Sequence, residues 1–375
     1  MIVIYSLVSF FAQKVIPYLG FFPYKELLVE YGLPSWISSF ANFDGIHYLL
    51  IAKQNYSQWE QAFFPLYPLF IHIVGYIIPN YLVGALFISN CTLLFGLVFF
   101  NKFIRELKIK TSWPLFFLLS FPTAFYFGMV YTESLFFILL ILSLFFLHKK
   151  HYVAAGIFAG LSSATRLIGI FLIIPFFFHF LTDIRNVLKN TKPSAFNFVF
   201  VLISPFIGLI SYMGYLWKTT GDPLFFFNSQ PIFGANRSTH LITLPQVYYR
   251  YIKILLTATH DFQWYLSLFE MSIFSLVFVV LVLDFLKIKK QLSAASTNLR
   301  GLQRLGLNIF SFINIVLPTA TGTFSSIPRY ALFSLSFFIF LGELKSPTLK
   351  SVIIAIFALL QIAILSLFVQ GYFVG

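Results

Sequence analysis

The sequence predicts an all-α polytopic membrane protein, and two observations lead to that class: its composition and the placement of its charges. Of the 375 residues, 59% are hydrophobic and 10% are charged, and the mean hydropathy is +0.87. A soluble domain carries roughly 25% charged residues, so this chain has too few to cover a water-exposed surface. Its single cysteine excludes an internal disulfide and a cysteine-based metal site.

The net charge of +13 does not indicate nucleic-acid binding, because the basic residues lie in short runs between apolar segments. These runs are at 102–110, 148–150, 183–192, 287–290 and 299–304. This is the positive-inside pattern, which orients a membrane protein. We therefore expect membrane lipids around the chain and no nucleic acid among its partners.

The apolar segments predict about eleven spans within a single domain, 1–375. They lie at 3–22, 82–104, 113–129, 135–147, 196–217, 264–286, 305–322, 331–344 and 351–373, with two short helices inside 152–182 that separate at SSATR. Segment 64–79 is short and contains three prolines, so we expect it to lie at the interface and not to cross.

Placing every basic run on the cytoplasmic side leaves two outer loops on the opposite side. They are an amphipathic first outer loop at about 23–80 and a large outer loop at about 218–262. Seven of the twelve acids then lie on the outer side: Glu26, Glu30, Asp44, Glu60, Glu133, Asp222 and Asp261. This asymmetry predicts an active site on the outer face.

Asp44 is the acid that the local sequence explains least. It lies in the aromatic-rich stretch 41–70, where no neighbouring charge accounts for it. A carboxylate beside a bilayer is costly unless it has a partner or a function. The alternative is that Asp44 caps a short interfacial helix that continues from Ile46.

Five sequence blocks resemble, in order, the PIG-V type mannosyltransferases, which add the second mannose in GPI-anchor synthesis, and their prokaryotic relatives. The blocks are FDGIHYLLIAKQNY with AFFPLYPLF, FPTAFYFGMVYTESLF, SSATRLIG, GDPLFFFNSQPIFG and IPRYALFSL, and they extend over 41–335. The chain departs from the family pattern at Phe43, where Trp is usual, at Asn55, where Gly is usual, and after Arg166, where Ser-Asn is missing.

This resemblance implies a GT-C fold and an inverting glycosyltransferase that uses a polyprenyl-phosphate-linked sugar. The expected reaction transfers mannose or a related hexose to a lipid-linked or cell-surface glycan acceptor. Asp44 matches the acid that acts as catalytic base in the first outer loop of such enzymes, and Glu133 matches a second acid. Arg166 and Arg329 are candidates for binding the leaving phosphate through their guanidinium forks.

Glu133 has three roles open to it. It orients the acceptor, holds a divalent cation together with Asp44, or accepts backbone N–H groups at the start of helix 135–147. No Asp-x-Asp pattern is present, so the sequence assigns no metal ligand and leaves a divalent cofactor open.

The remaining candidates also have structural alternatives. His47 follows Asp44 by three residues and shares its helix face, so it positions a hydroxyl, binds a metal or is a structural histidine. Arg329, beside Tyr330 at the end of a span, either binds phosphate or extends to the lipid headgroups. Arg166 needs an anionic partner, which is Glu133 or a lipid phosphate.

The large outer loop and one apolar face supply the last candidates. Gln230 is a candidate for reading sugar hydroxyls, and Asp222 is expected to be a turn residue. His72 is expected to be a packed and hydrogen-bonded side chain.

Two other classes compete with an enzyme: a flippase or transporter for a lipid-linked sugar, and a non-catalytic assembly subunit. A transporter predicts charges along a path through the membrane, often with internal repeats, and the sequence shows no repeat. The expected location is the plasma membrane for a prokaryotic chain or the endoplasmic reticulum for a eukaryotic one.

Overall fold

The computed structural model describes residues 2–20, 24–186, 195–233, 238, 240–294 and 299–375, and in them the regular secondary structure is helical. Part of the basic run 183–192 lies outside these residues, as does part of the large outer loop. The helices longer than twenty residues are α6 (Tyr81–Glu106), α11 (Ala195–Thr220), α14 (Phe262–Ala294), α15 (Leu299–Thr319) and α18 (Pro347–Val369). The prediction of an all-α chain is confirmed for the described residues.

The other α-helices are shorter than seventeen residues. They are α1 (Ile2–Val15), α2 (Tyr24–Val29), α3 (Ser35–Ser38), α4 (Asp44–Gln54), α5 (Leu66–Gly75), α7 (Trp113–Ser120), α8 (Glu133–His148), α9 (Tyr152–Ser163), α10 (Ile173–Asn186), α12 (Phe225–Asn228), α13 (Leu244–Thr257), α16 (Ile327–Tyr330) and α17 (Leu335–Gly342). Within the described part of the chain, α6, α11, α14 and α18 are long and apolar enough to cross a membrane. The chain is therefore a helical membrane protein.

Several segments that we predicted as single spans are interrupted. Helix α1 ends at Val15, before Pro17, and α7 ends at Ser120, before Pro122. Proline lacks the N–H that would continue the helix ladder, so it favours these ends. Regular helix therefore covers only part of the predicted spans 3–22, 113–129 and 331–344, and α17 is likewise shorter than its segment.

The predicted break inside 152–182 is confirmed. Helix α9 ends at Ser163, and a 3-10 segment, Leu167–Leu172, precedes α10. Helix α5 has ten residues, or about 15 Å at 1.5 Å per residue, which is half of a hydrocarbon core about 30 Å thick. By length, α5 cannot cross alone, and the interfacial position of 64–79 stays a prediction.

Small residues allow α9 and α11 to pack at short range. A Cβ atom on Gly208 would lie 2.1 Å from the carbonyl oxygen of Gly160 and 2.5 Å from the backbone nitrogen of Ala164. One on Gly156 would lie 2.8 Å from the Ser204 hydroxyl. Small residues at such spacings let backbones approach closely, which is how helices associate in lipid without a hydrophobic driving force.

The main buried apolar cluster extends from Tyr5 to Val374. At its centre lies segment 120–137, in which every residue is buried. This segment includes the 3-10 turn Ala124–Gly128 and the start of α8. Irregular backbone at such a position is tolerated because it is enclosed by protein and not exposed to lipid.

Candidate functional site

Four charged side chains that are far apart in the sequence meet at one place. Asp44 and Glu133 are the first residues of α4 and α8. Arg166 lies between α9 and the following 3-10 segment, and Arg329 lies in α16. We call these four residues the charged quartet.

The quartet is a continuous chain of ionic contacts. Arg329 donates from Nη1 to Oδ2 of Asp44 at 2.7 Å, and its Nε lies 3.2 Å from Oε1 of Glu133. The second contact is ionic, because the Nε–H group does not have hydrogen-bond geometry toward that oxygen. Arg166 donates from Nη1 to the same Oε1 at 2.6 Å and to Oγ1 of Thr132 at 3.1 Å. Each carboxylate therefore has a guanidinium partner.

The four side chains differ in their access to solvent. The Glu133 side chain is fully buried, and those of Arg329 and Arg166 are 8% and 11% exposed. Asp44 is the most accessible member, at 23%. Its carboxylate is thus the one that an external molecule reaches most readily.

The backbone around Asp44 is held in place by distant parts of the chain. Phe43 has a φ of 59°, a rare conformation for a bulky residue, and its ring packs on Phe368 and Phe373. Asn42 donates to the Phe368 carbonyl at 3.1 Å. A Cβ atom on Gly45 would lie 3.2 Å from the Val130 carbonyl oxygen, so glycine permits α4 to begin close to the segment that carries Glu133.

Aromatic rings orient the two guanidinium groups. The Arg166 Cζ lies 5.0 Å from the ring centre of Tyr330, and the Arg329 Cζ lies 5.4 Å from those of Tyr126 and Tyr131. Cation–π attraction at these distances restrains the direction of a guanidinium. Tyr330 thus contributes its ring to the quartet, whereas its backbone carbonyl accepts from Asn314.

Burial and charge act in opposite directions on Arg329. Its burial lowers the pKa, but the negative charges of Asp44 and Glu133 outweigh that effect and hold the pKa of Arg329 well above its usual value. The guanidinium therefore stays positively charged across the whole physiological range. The quartet contains two permanent cations and two acids.

His47 contacts the acid Glu60 of the first outer loop. Its Nδ1 lies 3.2 Å from Oε1 of Glu60, and its ring stacks on Phe63 at 5.1 Å. The other oxygen of Glu60 accepts from the Ser57 backbone N–H at 2.9 Å. His47 thus links α4 to the adjoining segment of the first outer loop, which supports the structural alternative.

Gln230 connects the large outer loop to the segment of the first outer loop that follows Glu60. It donates from Nε2 to the Ala62 carbonyl at 3.4 Å. Asp222 accepts from the Leu224 N–H at 2.8 Å and is a turn residue, as predicted. His72 lies 2.7 Å from the Ala52 carbonyl through Nδ1, in agreement with the packed role expected for it.

Three of the structural alternatives are wrong. Phe43 is the N-cap of α4, and Asp44 lies inside the helix with its carboxylate directed to Arg329, so Asp44 is not a cap. Arg329 is buried against two acids and does not extend to the headgroups. Glu133 uses Oε1 for two arginines and not for the backbone N–H groups of its own helix.

The quartet does not fit a divalent cation held between Asp44 and Glu133. Arg329 already contacts both carboxylates, so a metal ion would have to replace that guanidinium and remain close to Arg166. Among the described residues, no group of three or more His, Cys, Asp and Glu side chains could hold a metal ion.

The quartet is not part of the open cavity of about 340 Å³ on the first outer loop. That cavity is lined by Glu30, Tyr31, Lys53, Pro79, Asn80 and Tyr81. The four side chains of the quartet instead contact one another directly.

Sequence reasoning missed two polar partners of the predicted site. Thr132 adjoins Glu133, so its position in the Tyr-Thr-Glu-Ser block was a usable signal for its contact with Arg166. Glu60 had a weaker signal, because the sequence marks it only as one of several outer-side acids.

Comparisons with family models, with curated proteins and with solved structures found no match to this chain. The residues and their geometry are therefore the grounds for a function.

Proposed function

We propose that this chain is an inverting, multi-pass membrane glycosyltransferase of the GT-C class with about eleven spans. It transfers mannose or a related hexose from a polyprenyl-phosphate-linked donor to a lipid-linked or cell-surface glycan acceptor on the outer face. The observation that carries the proposal is the charged quartet, in which the partly exposed Asp44 carboxylate accepts from Arg329 and Glu133 contacts both Arg329 and Arg166. In a prokaryote its location would be the plasma membrane, and in a eukaryote the endoplasmic reticulum.

The chemistry of sugar transfer needs both kinds of group. The acceptor hydroxyl oxygen attacks the anomeric carbon, the bond between that carbon and the phosphate oxygen breaks, and the polyprenyl phosphate leaves with the bonding electrons. Asp44 takes the hydroxyl proton as the new bond forms. Arg329 and Arg166 stabilise the negative charge that develops on the leaving phosphate.

The fourth member of the quartet positions the other three. Glu133, fully buried between the arginines, is a positioning residue in this scheme, which replaces its expected catalytic role. Separation of Asp44 from Glu133 and Arg166 would have favoured a flippase or an assembly subunit. Their meeting in one quartet therefore supports the enzyme over these two classes.

The test is sugar transfer by the purified protein in liposomes. The donor is radiolabelled polyprenyl-phosphate mannose, the acceptor is a lipid extract from the source organism, and Asp44→Asn is compared with wild type. Loss of a general base lowers a rate by about 10²–10⁴-fold, so we expect a loss of that size in a variant that still folds.

Asp261→Asn is the matched control, because it removes an exposed acid that caps the start of α14 through the Trp264 N–H. We expect its transfer rate to equal that of wild type. Equal rates in wild type and Asp44→Asn would refute Asp44 as the base. Lipid-linked sugar crossing the bilayer without transfer would instead support a flippase.

A further inference from the structure

Arg329 has two acidic partners that differ in how easily they can be displaced. Glu133 is fully buried and is also held by Arg166 at 2.6 Å. Asp44 is 23% exposed. A molecule that approaches from solvent and needs the guanidinium of Arg329 therefore has one accessible competitor, Asp44.

The charge balance of the quartet makes such a competition necessary. Two carboxylates face two guanidinium groups, so the quartet as it stands has no net charge with which to attract an anion. A phosphate that forms a charge-assisted bond to Arg329 must replace a carboxylate that already makes one. Displacing Glu133 would leave a fully buried carboxylate with fewer partners, which is the more costly choice.

We propose that Asp44 and the phosphate group of a ligand compete for Nη1 of Arg329, so that phosphate binding releases the Asp44 carboxylate. In the free protein the Oδ2 atom of Asp44 accepts from Nη1 at 2.7 Å. When phosphate takes that donor, this lone pair becomes available to accept a proton. The inference rests on the proposed function only in assigning that proton to an acceptor hydroxyl, since the competition itself requires only phosphate binding.

The release of Asp44 would make the base available in step with donor binding. Arg329 keeps its ionic contact with Glu133 through Nε, while Nη1 exchanges one oxyanion for another. The aromatic contacts of its guanidinium with Tyr126 and Tyr131 restrict that exchange to a small movement. In the free protein, Asp44 thus occupies the Arg329 donor that phosphate needs. The same hydrogen bond occupies the lone pair with which Asp44 would accept a proton.

The experiment measures phosphate affinity by calorimetry on the full-length protein in detergent micelles, with no sugar transfer involved. The probes are inorganic phosphate and farnesyl phosphate, which both present a phosphate group, and only farnesyl phosphate has a prenyl tail. Hydrogen bonds to charged groups contribute about 1.5–3 kcal/mol, so removing the competing carboxylate in Asp44→Asn should tighten binding by about tenfold or more. A gain with either probe supports the competition, and a gain with farnesyl phosphate alone assigns the site to a prenyl headgroup.

Two further variants make the result specific. Asp261→Asn removes an outer acid outside the quartet and should leave the affinity unchanged, which separates local competition from a general change in charge. Asp44→Asn combined with Arg329→Gln removes both ions of the pair and should abolish the gain. Equal or weaker binding in Asp44→Asn, or an equal gain in Asp261→Asn, would overturn the inference.

These outcomes are distinct from those of the transfer assay. Sugar transfer by wild type without an affinity gain in Asp44→Asn would overturn the competition and leave the proposed enzyme intact. An affinity gain without transfer by any variant would support the competition and count against the enzyme.

Discussion

Arg329 donates a 2.7 Å hydrogen bond to Asp44 across 285 positions of sequence. Through its Nε it also contacts Glu133, which Arg166 approaches from the other side. One guanidinium thus connects the start of α4, the start of α8 and the late segment α16. The stability of this region and the proposed chemistry depend on the same ion pairs.

Glu133→Gln should destabilise the protein strongly. Removing one partner of a buried ion pair leaves an uncompensated charge, which costs about 3–5 kcal/mol, and here both Arg166 and Arg329 lose a partner. The measurement is the free energy of unfolding in mixed micelles. Glu106→Gln is the control, because the side chains of its pair with Lys149 are 33% and 43% exposed, and its loss should change stability by less than about 1 kcal/mol. Similar losses in both variants would contradict a special role for Glu133.

Gly208→Ala should disrupt the packing of α9 on α11. Its new methyl group would lie 2.1 Å from the Gly160 carbonyl oxygen, so the helices must separate, and overpacking of this kind costs about 1–3 kcal/mol or more. Gly214→Ala in the same helix meets no atom within 4 Å and should not destabilise the protein. Equal melting temperatures for the two variants in detergent would show that the close contact is absent.

A second buried ion network should respond to Arg304→Met. Arg304 contacts Asp284, which is fully buried, at 3.0 Å and Glu343 at 2.9 Å. Its loss leaves the Asp284 charge without a cation, and we expect about 3–5 kcal/mol of destabilisation. Asp284→Asn in the Arg304→Met background removes that charge and should restore part of the loss. A double variant less stable than the single one would contradict this explanation.

Glu343 should make stability depend on pH at the acidic end. Its burial raises the pKa, but Arg304 and Lys287 outweigh that effect, and the pKa is lowered overall. A carboxyl group whose pKa is lower in the folded state stabilises the protein above its unfolded pKa. That contribution is lost as the pH falls through the folded value.

The free energy of unfolding between pH 7 and pH 3 tests the role of Glu343. Wild type should lose stability more steeply than Glu343→Gln as the pH falls, because only wild type has this group to protonate. Parallel curves would contradict the prediction.

The sequence could predict the features that depend on composition and on neighbouring residues. Scarce charge and long apolar runs predicted a helical membrane protein, and the break at SSATR predicted the end of α9. Asp44, Glu133, Arg166 and Arg329 stood out because each is a costly charge in an apolar setting. The lengths of the helices inside these apolar stretches were less predictable, since α1 ends at Val15 and α7 at Ser120, each shortly before a proline.

Only the tertiary structure decided which charges are partners. The sequence predicted Arg304 only as part of a basic run that orients the chain in the membrane. In the structure it lies between Asp284 and Glu343. His47 follows Asp44 by three residues, and the structure shows that its ring contacts Glu60. The sequence alone shows that a charge in an apolar segment needs a partner, because the cost of its desolvation depends on the residues around it. The identity of that partner depends on how α4, α8, α9 and α16 pack, which a pattern of neighbouring residues does not contain.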